Sequence, residues 1–118
     1  MPEIEEIYRG MKFRMFFILN TKADVYPELD KLEQSDENEA KKAFALIQRV
    51  GDYGPPRNIE KCRLTSFSKI FELKTTRVRI PFFYHPHGIV LTHLFFKGTP
   101  KEQNRELKYA DDLRRKFD

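Results

Sequence analysis

Polar and apolar positions recur along this chain with two periods, near two and near 3.6, and the switches between them predict its elements. Lys12 to Leu19 alternates at first and then becomes continuously apolar, which predicts a strand entering a core from an edge. Asn20 to Asp24 breaks that run. Val25, Leu29 and Leu32 follow at helical spacing behind Asp24 as N-cap, with Pro27 tolerated in the first turn. Ser35 is the expected cap of a second helix, whose first turn holds Asp36, Glu37 and Glu39 against the positive end of its dipole. Ala40, Ala43, Phe44, Ile47 and Val50 form its apolar stripe, and Gly51 is its expected stop. The pair makes an αα-hairpin with acidic outer faces.

Gly51 to Arg57 is a loop by composition. A mixed run from Ile59 to Ser66 leads to a strand near Ser68 to Lys74, a second from Arg77 to Tyr84 and a third from Ile89 to Lys97. His85-Pro86-His87-Gly88 supplies the turn between the last two. Pro81 cannot donate to a ladder, so an irregularity is expected there. Thr99 and Glu102 have capping-box spacing with Pro100 at the first helical position, and Leu107, Ala110, Leu113 and Phe117 give this last helix an apolar side. Met1 to Gly10 shows no clear period and reads as an arm or extension.

The predicted order is β-α-α-β-β-β-α, an α+β fold in a single domain over residues 1–118. The short links make the last three strands antiparallel. The expected sheet is small, curved and mainly antiparallel. The N-terminal αα-hairpin and the C-terminal helix pack on one side, leaving the other to basic groups.

Composition narrows the class. A chain of 118 residues with 40% hydrophobic and 34% charged residues holds one modest core. It has no apolar run of about 18 residues, so no membrane span is expected. The start is acidic where a secretory signal is basic, and the lone Cys62 excludes an intramolecular disulfide framework, so a cytoplasmic protein is expected. Cys62 reads as an inert core or loop thiol.

Charge is uneven along the chain. Residues 1 to 59 carry nine basic and eleven acidic side chains, net −2; residues 60 to 118 carry thirteen and seven, net +6. From Lys61 to Lys101 eight cations accompany one acid, Glu72. Such a segment suits a polyanion partner or is simply a solvated basic face.

Strand parity groups Glu72 with Lys74, Arg77 with Arg79, and His93 with Lys97. A concave face collecting Glu72, Lys74, Arg79 and Lys97 holds one carboxylate among cations, which keeps it ionised. The same residues also fit an exposed cross-strand ion pair. His93, in an apolar strand, fits either a half-buried histidine or a proton carrier. His85 and His87 share a turn, but no carboxylate or thiol follows nearby to complete a metal site.

The order of elements, with Glu72-Leu73-Lys74, Arg79-Ile80 followed by Phe82-Phe83-Tyr84, and Ile89-Val90-Leu91-Thr92-His93-Leu94-Phe95 closing in Lys97-Gly98-Thr99-Pro100, resembles the RelE/ParE toxin superfamily of bacterial toxin–antitoxin systems. The likeness is greatest to its HigB-like, phage-derived branch and covers about residues 12 to 117. Departures are Lys74 where the branch carries arginine, Val78 where an aromatic often stands, and Gly98 where a second lysine closes the motif. An ammonium lacks the bidentate fork of a guanidinium.

The resemblance implies a toxin that cuts mRNA, on the ribosome, as a metal-independent endoribonuclease with no cofactor. Its partners are a helix-turn-helix-type protein antitoxin, mRNA and the ribosome, with no membrane. It implies catalytic parts for Glu72 as base, Arg79 and Lys97 as phosphate clamps, and Lys74 and His93 beside them. Lys61, Arg63, Lys69, Arg77 and Lys101 become candidate RNA contacts, and Tyr109 either stacks on a base or packs inward. Two other readings fit the same resemblance: a ParE-like protein that inhibits gyrase by binding, and a non-catalytic relative that only pairs with an antitoxin.

Overall fold

The computed structural model describes residues 1–58 and 60–118. Ile59, where the mixed run 59–66 was expected to begin, lies outside the described residues. The elements run β1 (Ile4–Arg9), β2 (Arg14–Ile18), α1 (Val25–Ser35), α2 (Glu37–Tyr53), β3 (Cys62–Leu64), β4 (Phe71–Lys74), β5 (Val78–His85), β6 (Gly88–Leu91), β7 (Phe95–Phe96) and α3 (Pro100–Arg115). The fold is α+β, with a mixed sheet ordered β1-β2-β6-β5-β4-β3 and β7 paired to β5. Its described pairs are antiparallel except β2 with β6, which are parallel.

The expected β-α-α-β-β-β-α order is corrected at its start, because two strands precede the helices. Residues 1–10 are not an arm. β1 pairs with β2, and the pairing shifts by one residue between Glu6 and Tyr8. That bulge puts Ile4 against one core and Ile7 and Tyr8 against the other, which erases the period of two from the sequence. Tyr8 Oη donates to the Asp52 carboxylate at 2.9 Å, so β1 is held by the end of α2.

Helices cover both faces of the sheet, which corrects the one-sided packing expected. Met15, Phe17, Leu73, Ile80, Phe82, Ile89 and Leu91 meet α1 and α2. Phe16, Ile18, Phe83 and Val90 meet Leu107, Ala110 and Leu113 of α3. Adjacent apolar residues along one strand are the mark of burial on both faces.

Two helix signals moved. Asp36, not Ser35, caps α2, accepting from the Glu39 N–H at 3.2 Å. α2 also runs through Gly51 and ends at Gly54, whose φ of 85° suits glycine. Gly51 serves close approach instead. Its carbonyl accepts from Lys12 N and Phe13 N at 2.9 and 2.8 Å, and a Cβ on Gly10 would stand 2.1 Å from its backbone. Asp24 leads α1, but its carboxylate takes the Asn20 and Thr21 N–H groups in place of a helix-cap bond.

Pro81 sits inside β5 with an unbroken register to β4. The irregularity falls on its other neighbour. Phe82 pairs with Leu91 and Arg79 with Phe95, so Thr92, His93 and Leu94 span what Ile80 and Pro81 span on β5. The Pro81 carbonyl accepts from Thr92 N at 2.9 Å, so its missing N–H faces this same segment, and Leu94 N turns away to Ala23 O. The expected single strand Ile89–Lys97 is therefore split into β6 and β7. The extra residue moves His93 and Phe95 to the face of α3.

Candidate functional site: a basic pocket between the sheet and the last helix

Four cations converge where the α3 face of the sheet is left uncovered. Arg63 of β3, Lys74 of β4, Arg79 of β5 and Lys97 after β7 line a pocket of about 600 Å³, with Ser66, Gly98, Pro100, Gln103 and Asn104. Register explains the convergence: Arg63 stands opposite Glu72, and Lys74 opposite Arg79, on the side facing α3. Lys97 is carried in by the residue gained beside Pro81. The capping box of Thr99 and Glu102 then starts α3 at the rim, where its positive end adds to the field.

Glu72 lies at the base of this cluster, fully buried. Its Oε1 accepts from Arg63 Nε at 2.9 Å, and its Oε2 has no hydrogen-bond partner among the described residues. Arg79 is also buried; one terminal nitrogen donates to the carbonyls of Thr75 and Val78 at 2.7 and 3.0 Å, and its Nε has no hydrogen-bond partner among the described residues. Burial pulls the Arg79 guanidinium below its usual range, Glu72 opposes that, and the group stays charged. Two orphaned polar atoms in one buried cluster mark a site with unused bonding capacity. Burial, aided by Glu72, pushes the Cys62 thiol up to about 11, so it is an inert core thiol.

The remaining residues singled out from the sequence lie elsewhere. His93 is fully buried, stacked on Phe95 at 5.5 Å and edge-on to Tyr109 at 4.9 Å, away from the pocket lining. Its Nδ1 meets Thr92 Oγ1 at 3.0 Å; burial, then the Lys22 charge, pull its pKa down to about 3. Glu106 Oε1 stands 3.8 Å from Nε2, but a neutral ring makes no ion pair, and Lys22 is the partner of Glu106. Tyr109 packs inward: its hydroxyl accepts from Lys22 N and its ring lies under the Lys22 ammonium.

Arg77 does not share the face of Arg79. It precedes β5 and binds Asp36 at 2.7 Å, while its N–H donates to the buried Glu39 at 2.6 Å. Lys69 borders a separate cleft near Phe117, Lys61 a neighbouring groove, and Lys101 is exposed at the start of α3. Gln103 and Asn104 were missed, although the capping box fixes which side of α3 they occupy. Gln103 Nε2 donates to Gly98 O at 2.9 Å and ties that side to the loop.

The family model described as phage-derived protein Gp49-like (DUF891) matches residues 28–115. The chain belongs to this Gp49-like family. The family is associated with RelE-like toxins. The matched segment contains every residue of the pocket lining and leaves out β1 and β2. No curated protein matches the chain. Among the described residues, no helix of this Gp49-like protein is long and apolar enough to cross a membrane.

Proposed function

We propose that this chain is the toxin of a type II toxin–antitoxin pair, of the HigB-like kind, and that it cuts mRNA on the ribosome without a metal. The pocket that gathers Arg63, Lys74, Arg79 and Lys97 over Glu72 is the observation that carries this reading. The family membership supports it. A helix-turn-helix antitoxin is the partner that holds the toxin silent in the cytoplasm.

In this reading the scissile phosphate enters among the four cations. Arg79 is already aimed by the two carbonyls that hold it, so it needs little reorganisation. Arg63 turns to the phosphate and uncovers Glu72, whose carboxylate takes the proton of the ribose 2′-hydroxyl. The 2′-oxygen bonds to phosphorus, the bond to the 5′-oxygen breaks, and Lys97 gives that oxygen its proton. The products are a 2′,3′-cyclic phosphate and a 5′-hydroxyl end. Lys74 holds the second non-bridging oxygen. His93 and Tyr109 support α3.

Inducible expression in a bacterial host, wild type beside Arg79→Ala, with mRNA ends mapped by primer extension, tests it. Growth arrest with new ends inside reading frames, lost in the variant, is expected. Arrest without new ends would move the reading to a bound target such as gyrase. No arrest would leave a relative that only binds its antitoxin.

A further inference from the structure

We propose that a second basic groove, across the end of β4 from the pocket, carries the phosphate chain of the same RNA beyond the cut bond, a proposal that rests on the reading above. The groove has a volume of about 660 Å³ and is lined by Lys42 and Arg49 of α2, by Lys61, and by Lys74. Lys74, the last residue of β4, lines the pocket as well, so the two depressions share one residue. A strand leaving the pocket past Lys74 therefore stays among cations.

Lys42, Arg49 and Lys61 are exposed, and none of them makes an ion pair among the described residues. The acids of α2 have closer partners: Glu37 pairs with Lys41, Glu39 accepts from Thr75 and Arg77, and Asp52 accepts from Tyr8, while the Lys42 charge acts on Glu39 without pairing with it. Glu60 is the one acid of the described lining. Lys42 and Arg49 stand two turns apart on one helix face, roughly 10 Å along the axis. A flexible phosphate chain bridges that spacing, and a single small anion does not. The described lining holds no aromatic side chain, so the groove would hold its ligand by the phosphate chain and not by stacked bases, and it lacks the aromatic anchor that dominates protein interfaces.

Fluorescence anisotropy with 2′-O-methyl RNA, which lacks the nucleophile and binds without being cut, measures the groove directly. The probes are a trinucleotide and an oligomer of roughly twelve nucleotides, within the range single-strand grooves cover. The variant is Lys42→Glu with Arg49→Glu and Lys61→Glu, backed by the milder Lys42→Gln with Arg49→Gln if the first fails to fold. We expect the long probe to lose about tenfold or more in affinity and about 2 in the slope of log affinity against log salt, at roughly 0.7 per contact. The trinucleotide should be unaffected. Equal loss on both probes, no loss on either, or equal competition by oligoglutamate would overturn the groove as an RNA track. Length-dependent loss in a protein that cuts nothing would keep the groove and remove the cleavage reading. Cleavage with length-independent binding would do the reverse, and a wild type that binds neither probe removes both.

Discussion

Arg63 Nε donates a 2.9 Å hydrogen bond to Oε1 of Glu72, and the carboxylate beneath it has no exposed surface. The guanidinium is partly exposed, so the pair has one side in the pocket and one in the core. Removing Glu72 leaves the buried Arg79 without the charge that offsets its desolvation, while the partly exposed Arg63 falls back on solvent, so the cost stays below the ~3–5 kcal/mol of a fully buried pair broken from one side. Glu72→Ala should therefore lower the denaturation midpoint. Glu72→Gln keeps the shape and should fold, bind RNA and fail to cleave. Full cleavage by Glu72→Gln, read on a labelled RNA, would assign the base elsewhere.

Arg79 is held by two carbonyls on one terminal nitrogen, which leaves the rest of its fork for a ligand. Lysine keeps the charge and loses the fork. Arg79→Lys should fold and should still lose about 10²-fold or more in cleavage rate, the usual cost of one missing transition-state donor. A rate within about threefold of wild type would show that charge alone suffices there.

Much of this site was legible because strand parity survives where registers are regular. Glu72 and Lys74 could be placed on one face from their spacing, the β4–β5 register adds Arg79 to that face, and Thr99 with Glu102 located the start of α3. Parity grouped Lys97 with His93, and both reach this face because Thr92–Leu94 contains one residue more than the stretch of β5 beside it. β1 was missed for a related reason: its bulge turns two successive residues, Ile7 and Tyr8, toward one core. Arg77 was misplaced because it stands before β5, where Asp36 outcompetes the strand's alternation. The second packed face was written in the paired apolar residues Phe82-Phe83 and Ile89-Val90, a signal of two-sided burial.

His93 makes acid stability a readout of its burial. Its folded pKa of about 3 lies below the ordinary value, so the unfolded chain binds more protons between the two. Stability is therefore complete above about pH 6.5 and falls as pH drops toward the folded value, by up to a few kcal/mol. Carboxylates held low by partners, such as Asp36 by its hydrogen bond with Arg77 and Glu6 by that with Arg14, lose stability only at lower pH. Urea midpoints between about pH 6 and 5 thus isolate the histidine. His93→Gln should flatten that part of the profile; an unchanged slope would place the titration elsewhere.

The cap of α3 links fold and site. Thr99 Oγ1 accepts from the Glu102 N–H at 3.2 Å, and Glu102 returns a 3.0 Å bond to the Thr99 N–H. Thr99→Ala should cost about 0.5–2 kcal/mol. Pro100, Gln103 and Asn104 line the pocket from this same turn. The variant should also bind RNA more weakly than a control of equal stability loss, such as Leu29→Val, which lies in the other core. Equal binding by the two would confine the cap to stability.

Gly10 tests whether the N-terminal hairpin is part of the domain. Its N–H donates to Phe13 O at 3.0 Å, closing the turn between β1 and β2, and that turn lies directly on the last helical turn of α2. A Cβ at this position would meet three backbone atoms of Gly51 at 2.1 to 2.5 Å. Backbone cannot rotate aside as a side chain does, so Gly10→Ala forces the hairpin off α2 and pulls at Met15, which is fully buried. Overpacking of this kind costs about 1–3 kcal/mol. The same substitution at Gly98 meets only the side chain of Glu102 at 3.2 Å and should cost less. Chemical denaturation of the two variants side by side checks the order, and equal midpoints would mean that β1 and its turn contribute little to the fold.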